Sequence, residues 1–343
     1  MKDLIDKLYN TGNLTDAELE ALLLDDNENE YLRKRAEEKR ISVYGREVYI
    51  RGLIEISNYC KNNCLYCGIR AGNEKAERYR LSTDDILSCC DMGYEAGFRT
   101  FVLQGGEDIK QDDDFIVTTV KAIKSKYPDC AVTLSVGEKS FESYKKYRDA
   151  GADRYLLRHE TIEKCHYEKL HPKNMTLENR VRCLKDLKAL GFQVGCGIMV
   201  GSPYQELKYI IKDLRFIKEF EPQMVGIGPF IPHKDTPFKE EKAGSVELTL
   251  KLLSIIRLLL PKVLLPATTA LGTMSTDGRS RGILSGANVI MPNLSPKAAR
   301  EKYMLYNNKL NTGIESVEGL NALKKSMEEI GYKVAVSRGD YIK

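Results

Sequence analysis

From Val48 onward the sequence alternates short β-rich segments with amphipathic helical stretches, and this rhythm narrows the possible folds more than any other feature. The β-rich segments fall near 48–57, 99–104, 131–136, 153–158, 193–199, 223–228, 263–267 and 287–291. Eight such strands, separated by helices over about 250 residues, is the pattern of a (β/α)8 barrel. The expected fold class is therefore α/β, a complete TIM-type barrel. An open doubly wound sheet is the alternative, because periodicity alone does not show closure. Gly97, Gly151 and Gly191 each follow an apolar helical run and precede a strand, as helix C-caps should.

Ahead of the alternation, residues 1–45 are polar and helical in pattern, with Thr15 placed to cap the stretch that runs to Leu24. After it, residues 296–343 contain helix-like stretches without a ligand-type cluster. No Gly/Ser or Pro-rich linker divides the chain. The organisation expected is an N-terminal helical extension, 1–45; a barrel, 46–295; and a C-terminal helical extension closing the barrel, 296–343. At 343 residues and 42% apolar, the chain can bury a large core, and its net charge of +4 suggests neither a nucleic-acid nor a membrane protein. The longest apolar stretch, Leu252 to Ala267, is broken by Arg257, Pro261 and Lys262. The charged start, Met1 to Lys7, has no signal-peptide core, so a cytoplasmic location is expected. Nine cysteines, an odd number, then read as reduced thiols or metal ligands.

Three of those cysteines carry chemistry. Cys60, Cys64 and Cys67 form a C-x-x-x-C-x-x-C run between the first strand and the helix starting near Ser82, which puts them at the C-terminal mouth of a barrel, where active sites sit. Three thiols can hold three corners of a cubane iron–sulfur cluster. Electron-transfer clusters normally take four cysteines, so the open iron points to a bound ligand and to a catalyst. Zinc would need a fourth Cys or His nearby, and the nearest histidine, His159, is far along the chain. The other cysteines have no ligand spacing and read as small buried hydrophobes.

This loop, with Tyr66 just before its last cysteine, resembles the radical S-adenosylmethionine superfamily. Further segments resemble its FeFe-hydrogenase maturase family, HydE, a relative of biotin synthase and methylornithine synthase. They are Cys64-Leu65-Tyr66-Cys67-Gly68, Leu103-Gln104-Gly105-Gly106-Glu107-Asp108, Tyr155 to Thr161, Val225 to His233, Pro266 to Ala270 and Ala287 to Asn293. The resemblance implies one 4Fe-4S cluster on Cys60, Cys64 and Cys67. It also implies S-adenosylmethionine on the open iron, cleaved reductively to a 5′-deoxyadenosyl radical with electrons from an external low-potential donor. Gly105 and Gly106 would let the backbone approach the methionine amino group, with Glu107 or neighbouring carbonyls accepting its hydrogen bonds. Glu160 would accept from the ribose hydroxyls, Arg180 would clamp the methionine carboxylate, and Met199 would lie in an adenine platform.

The same resemblance implies a substrate, a cysteine-bound iron carbonyl–cyanide complex, and a role alongside other hydrogenase maturases in assembling the diiron subcluster. Arg154, Arg158, Thr268, Thr269 and Met291, at or near strand ends, would face this small organometallic complex. Tyr303 and Tyr306, three apart on an expected C-terminal helix, would close the cavity. Plain readings compete: ion pairs for Arg158 with Glu160 and for Arg154 with Asp153, and ordinary helix packing for the tyrosines. No cysteine follows Cys196, so the second, C-terminal cluster of many family members is not expected. A methylornithine-synthase-like mutase or a biotin-synthase-like enzyme would share the loop and the barrel, although the extra cysteines of the latter have no convincing counterpart. A non-catalytic iron–sulfur carrier is the alternative from another class.

Overall fold

The computed structural model describes residues 1–342, Ile314 through its backbone alone. Lys343, the last residue of the expected C-terminal extension, lies outside the described residues. The strands are β1 (Glu47–Ile50), β2 (Gly52–Ser57), β3 (Thr100–Gly105), β4 (Ala131–Ser135), β5 (Arg154–Leu156) and β6 (Gln193–Cys196). They continue with β7 (Met199–Val200), β8 (Met224–Val225), β9 (Gly228–Pro229), β10 (Val289–Ile290) and β11 (Lys333–Ala335). A six-stranded sheet in the order β2-β3-β4-β5-β6-β8 is parallel throughout. From β2 to β6 neighbours in space are successive in sequence, and β8 comes next to β6 because β7 pairs with β9 instead. With helices in the connections, the architecture is α/β of the TIM-barrel type.

Strands of this sheet are buried on both faces, which is why they read as nearly continuous apolar runs. Beyond β8 the pairing thins to single parallel bridges, Met224 with Leu264 and Pro266 with Val289. The segment expected near 263–267 is thus present as bridges and not as a regular strand. β1 pairs with β10 on one side and β11 on the other. Gly97, Gly151 and Gly191 take φ of 99°, 108° and 76°, the left-handed turn that ends a helix before the next strand.

The N-terminal extension forms helices Lys2–Thr11, Asp16–Leu24 and Asn29–Tyr44. Thr15 and Glu18 make a reciprocal capping box at the second of these. The third packs on the apolar helix Val246–Leu259. Among the described residues, no helix is long and apolar enough to cross a membrane.

The C-terminal extension departs from the expectation of helix alone. Its helices are short, Lys297–Lys302 and Leu320–Glu329, and β11 then adds a parallel strand beside β1. Three residues beyond a Gly-terminated helix give too short a pattern to separate strand from loop. Neither Tyr303 nor Tyr306 is helical; Tyr303 caps the helix before it and Tyr306 sits in the turn beyond.

Candidate active site

After Ser57 the chain leaves the sheet as a loop that reaches Leu81 before the next helix, and internal hydrogen bonds shape it. The Arg78 guanidinium donates to the carbonyls of Ile69 (2.8 Å), Arg70 (2.7 Å), Asn73 (3.1 Å) and Asn58. Asp108, just past β3, accepts from Ser57 Oγ at 2.7 Å and from Arg80 in a two-pronged pair at 2.6 and 2.9 Å. Gly106 lies so close to the loop that a Cβ there would be 2.2 Å from the Tyr59 carbonyl and 2.7 Å from Cys60 Cβ. Its first effect is to let the loop pack on the strand end.

Within this frame Cys60, Cys64 and Cys67 are partly buried and unpaired. Burial pushes all three thiols up, Cys67 to about 12, and the other thiols add to the effect at Cys64 and Cys67. Dry, mutually repelling thiols ionise only beside strong positive charge, which an iron core supplies. Among the described residues no three His, Cys, Asp or Glu converge on a single-ion site. A set of three thiols suits an iron–sulfur cluster with one open iron, whereas zinc would take a fourth Cys or His.

A buttress supports the loop from the side. Leu65 N–H donates to the Leu170 carbonyl at 2.9 Å. His171 Nδ1 is 3.0 Å from the Tyr167 carbonyl and so carries the proton, leaving Nε2 to accept from Tyr66 O–H at 3.2 Å. Burial and the nearby Arg180 charge take the His171 pKa down to about 3, so the imidazole stays neutral and Tyr66 is held in one orientation.

Cys67 and Tyr66 open into a cavity of about 340 Å³. Gly105 from β3, Met199 from β7, and Arg158, Glu160 and Arg180 from the neighbouring connections line it. So do Thr268, Thr269 and Met291, and Tyr303 and Tyr306 from the C-terminal extension. Glu160 takes φ 64°, a left-handed conformation that costs a non-glycine residue about 1–3 kcal/mol. Bonds from Glu160 N–H to Gly197 O (3.0 Å) and from Met199 N–H to Glu160 O (3.4 Å) hold it there. Its carboxylate is 2.8 Å from Arg158, the ion pair that the plain reading anticipates, at the wall of the cavity. Arg180 donates to Glu138 at 2.6 Å and to the Arg158 carbonyl at 2.8 Å.

Five expected residues stand outside this lining: Cys60, Cys64, Gly106, Glu107 and Arg154. Cys60, Cys64 and Gly106 lie behind the lining. Glu107 faces an outer groove, 3.3 Å from Lys61, and accepts from Glu138 N–H at 2.9 Å.

Arg154 requires a correction. It is fully buried at the opposite end of the sheet, bound to Asp340 (2.6 Å), the Arg338 carbonyl (2.8 Å) and Thr100 (3.0 Å). Arg154 opens β5, which ends at Leu156, whereas Arg158 lies in the connection beyond its C-terminal end. Only Arg158 reaches the mouth. Asp153, the partner anticipated for Arg154, pairs with Lys124 and Arg338.

Three cavity-side groups escaped the sequence reading. Glu138 orients Arg180, and nothing in its local sequence marks it beyond its place after β4. Glu55 and Lys309 form a buried ion pair, Nζ to Oε1 2.7 Å. Burial raises the Glu55 pKa against the pull of Lys309. Its signal was present: a lone acid inside the apolar run Gly52-Leu53-Ile54-Glu55-Ile56 is costly unless partnered.

Comparison with known proteins gives four findings. A model of the radical SAM superfamily matches residues 54–217. The [FeFe] hydrogenase maturase subunit HydE of Thermotoga maritima is 44% identical over 97% of this chain and 95% of its own length. 3-Methylornithine synthase of Methanosarcina acetivorans is 30% identical over 96% of this chain and 93% of its own. A crystal structure of methylornithine synthase superposes with a TM-score of 0.86 at 29% identity, covering 97% of both chains.

Proposed function

Because this chain belongs to the radical S-adenosylmethionine superfamily and, within it, to the HydE family, we propose that it acts in maturation of the FeFe-hydrogenase diiron subcluster, on a cysteine-bound iron carbonyl–cyanide complex. When bound, one 4Fe-4S cluster with S-adenosylmethionine supplies reductive cleavage of the sulfonium and hence a 5′-deoxyadenosyl radical. One observation carries the assignment of the site: Cys67, Glu160, Arg180 and Met199 line the same cavity.

In this reading Cys60, Cys64 and Cys67 hold the cluster as thiolates. Arg180, oriented by Glu138, presents its remaining N–H groups to the methionine carboxylate. Glu160 accepts from the ribose hydroxyls. Tyr66, fixed by His171, and Met199 shield the adenine from water. The strand end at Gly105, Gly106 and Glu107 serves the methionine amino group through its backbone, since the Glu107 carboxylate is engaged elsewhere. Arg158, Thr268, Thr269, Met291, Tyr303 and Tyr306 enclose the substrate. An external low-potential donor supplies electrons, other maturases exchange substrate and product, and nine free cysteines suit the reducing cytoplasm.

The proposal extends to the scaffold: a complete (β/α)8 ring over 46–295, with 1–45 and 296–343 as extensions. Bridges between Met224 and Leu264, Pro266 and Val289, and Leu53 and Asn293 support closure. A mutase like methylornithine synthase is the second reading, favoured by the structural likeness. Incubating reconstituted protein with reductant and S-adenosylmethionine, and either the iron complex or L-lysine, separates the two. The maturase reading expects 5′-deoxyadenosine formation to rise with the iron complex. Conversion of lysine instead, or unimpaired diiron assembly in this protein's absence, contradicts it.

A further inference from the structure

The cavity contains a charged pair to which the proposed chemistry assigns no task. Glu55 enters from β2 and Lys309 from the segment beyond Tyr306, with side chains 0% and 6% exposed. Both line the cavity. Arg158 is already engaged by Glu160, and Arg180 by Glu138. S-adenosylmethionine takes up the open positions of those two pairs in the proposed function, whereas the Glu55–Lys309 pair has open positions that it leaves unused. Glu55 Oε2 has no partner in good hydrogen-bond geometry, the Asn293 side chain being the other group that stabilises the carboxylate charge. Lys309 Nζ has three N–H groups, and among the described residues its hydrogen bond is to Glu55 alone.

A buried ion pair with open positions is unfavourable unless something completes it. Its location indicates what does. Glu55 comes from β2, whereas Glu160 follows β5 and Met199 follows β6, three and four strands along the sheet, so the pair reaches the cavity from a different strand end. Beside it are the Tyr303 ring, with Lys309 Nζ 5.3 Å from the ring centroid, and Gln104, which donates to Tyr303 Oη at 3.4 Å. This is the wall left for a substrate once S-adenosylmethionine occupies the side of Glu160 and Met199.

We propose that Glu55 and Lys309 dock the α-amino-acid headgroup of the substrate, Glu55 accepting from its ammonium and Lys309 donating to its carboxylate. This rests on the reading of the cavity as the substrate site. A ligand with a single charge would satisfy one partner and leave the other buried against a net charge. A zwitterion supplies both complements and leaves the cavity's net charge unchanged. The headgroup can come from the cysteine of an iron complex or from a free amino acid such as lysine.

Calorimetric titration of the anaerobically reconstituted protein, with S-adenosylmethionine present, tests this. The probes are L-cysteine, cysteamine, 3-mercaptopropionate and L-lysine. At least one amino acid should bind about tenfold or more tighter than cysteamine and 3-mercaptopropionate, each of which lacks one charge. Tighter binding of L-cysteine assigns the headgroup to the iron complex, and tighter binding of L-lysine to a mutase substrate. Glu55→Gln should erase the discrimination against 3-mercaptopropionate, and Lys309→Met that against cysteamine. Binding of the truncated probes within twofold of both amino acids, absence of amino-acid binding, or unchanged selectivity in folded variants would overturn the proposal. The wild-type comparison decides it even where a variant does not fold. Loss of the cluster reading would show separately, as no reducible cluster in the same preparation.

Discussion

Asp108 shows how a single carboxylate can set the shape of the cysteine loop. It is almost fully buried and joins Ser57 to Arg80. Burial opposes its charge, but Arg80 and Ser57 outweigh it and hold the pKa below the ordinary carboxylate range. A depressed folded-state pKa gives stability that is present above the unfolded value, about 3.9, and lost as pH falls through the folded one. Asp108→Asn should cost about 1.5–3 kcal/mol at neutral pH and flatten the fall in melting temperature below about pH 4, as acid titration followed by calorimetry can check. At Glu160 the expected effect is on binding. Removing the charge in Glu160→Gln should weaken S-adenosylmethionine binding about tenfold, beyond any loss of melting temperature from breaking its pair with Arg158. An unchanged dissociation constant would return Glu160 to a structural pairing with Arg158.

At the scale of elements, the tail after β11 acts as a plug for the lower end of the sheet. Asp340 accepts from Arg154 and Gln193, and Arg338 reaches Asp153. Asp340→Ala leaves a buried guanidinium short of its counter-charge. The expected loss is toward the lower end of the about 3–5 kcal/mol typical of a broken buried pair, because Asp340 is itself 39% exposed. Denaturant unfolding should register this loss while S-adenosylmethionine affinity stays unchanged, since the plug and the cavity lie at opposite ends. The placement of Arg154 also shows what a sequence conveys about strands. Alternation put Arg154 and Arg158 on one face of a strand near 153–158, but β5 stops at Leu156, and periodicity carries no information on which end of a strand faces the site. β11 was illegible for a related reason: its partner, β1, lies near the other end of the chain, and pairing, not local propensity, makes it a strand. The loop cysteines were legible because their spacing is local, whereas Lys309 meets Glu55 across 254 positions.

Taken as a molecule, the chain brings a cysteine loop, a strained acid and a C-terminal segment to one end of a parallel sheet. Each part has a structural cause. The loop is shaped by Arg78 and Asp108, Glu160 by its bonds to Gly197 and Met199, and the segment from Tyr303 to Lys309 by its pair with Glu55. Family membership explains why such a site exists; this chain's own residues explain how it is positioned. The most direct measurement compares wild type with Cys64→Ser after anaerobic reconstitution, by iron content, EPR of the reduced state and 5′-deoxyadenosine yield. Wild type should hold one 4Fe-4S cluster whose EPR signal changes when S-adenosylmethionine is added, and Cys64→Ser should lose both that signal and cleavage. A Cys64→Ser protein that still forms a reducible cluster and cleaves S-adenosylmethionine at the wild-type rate would contradict the assigned site.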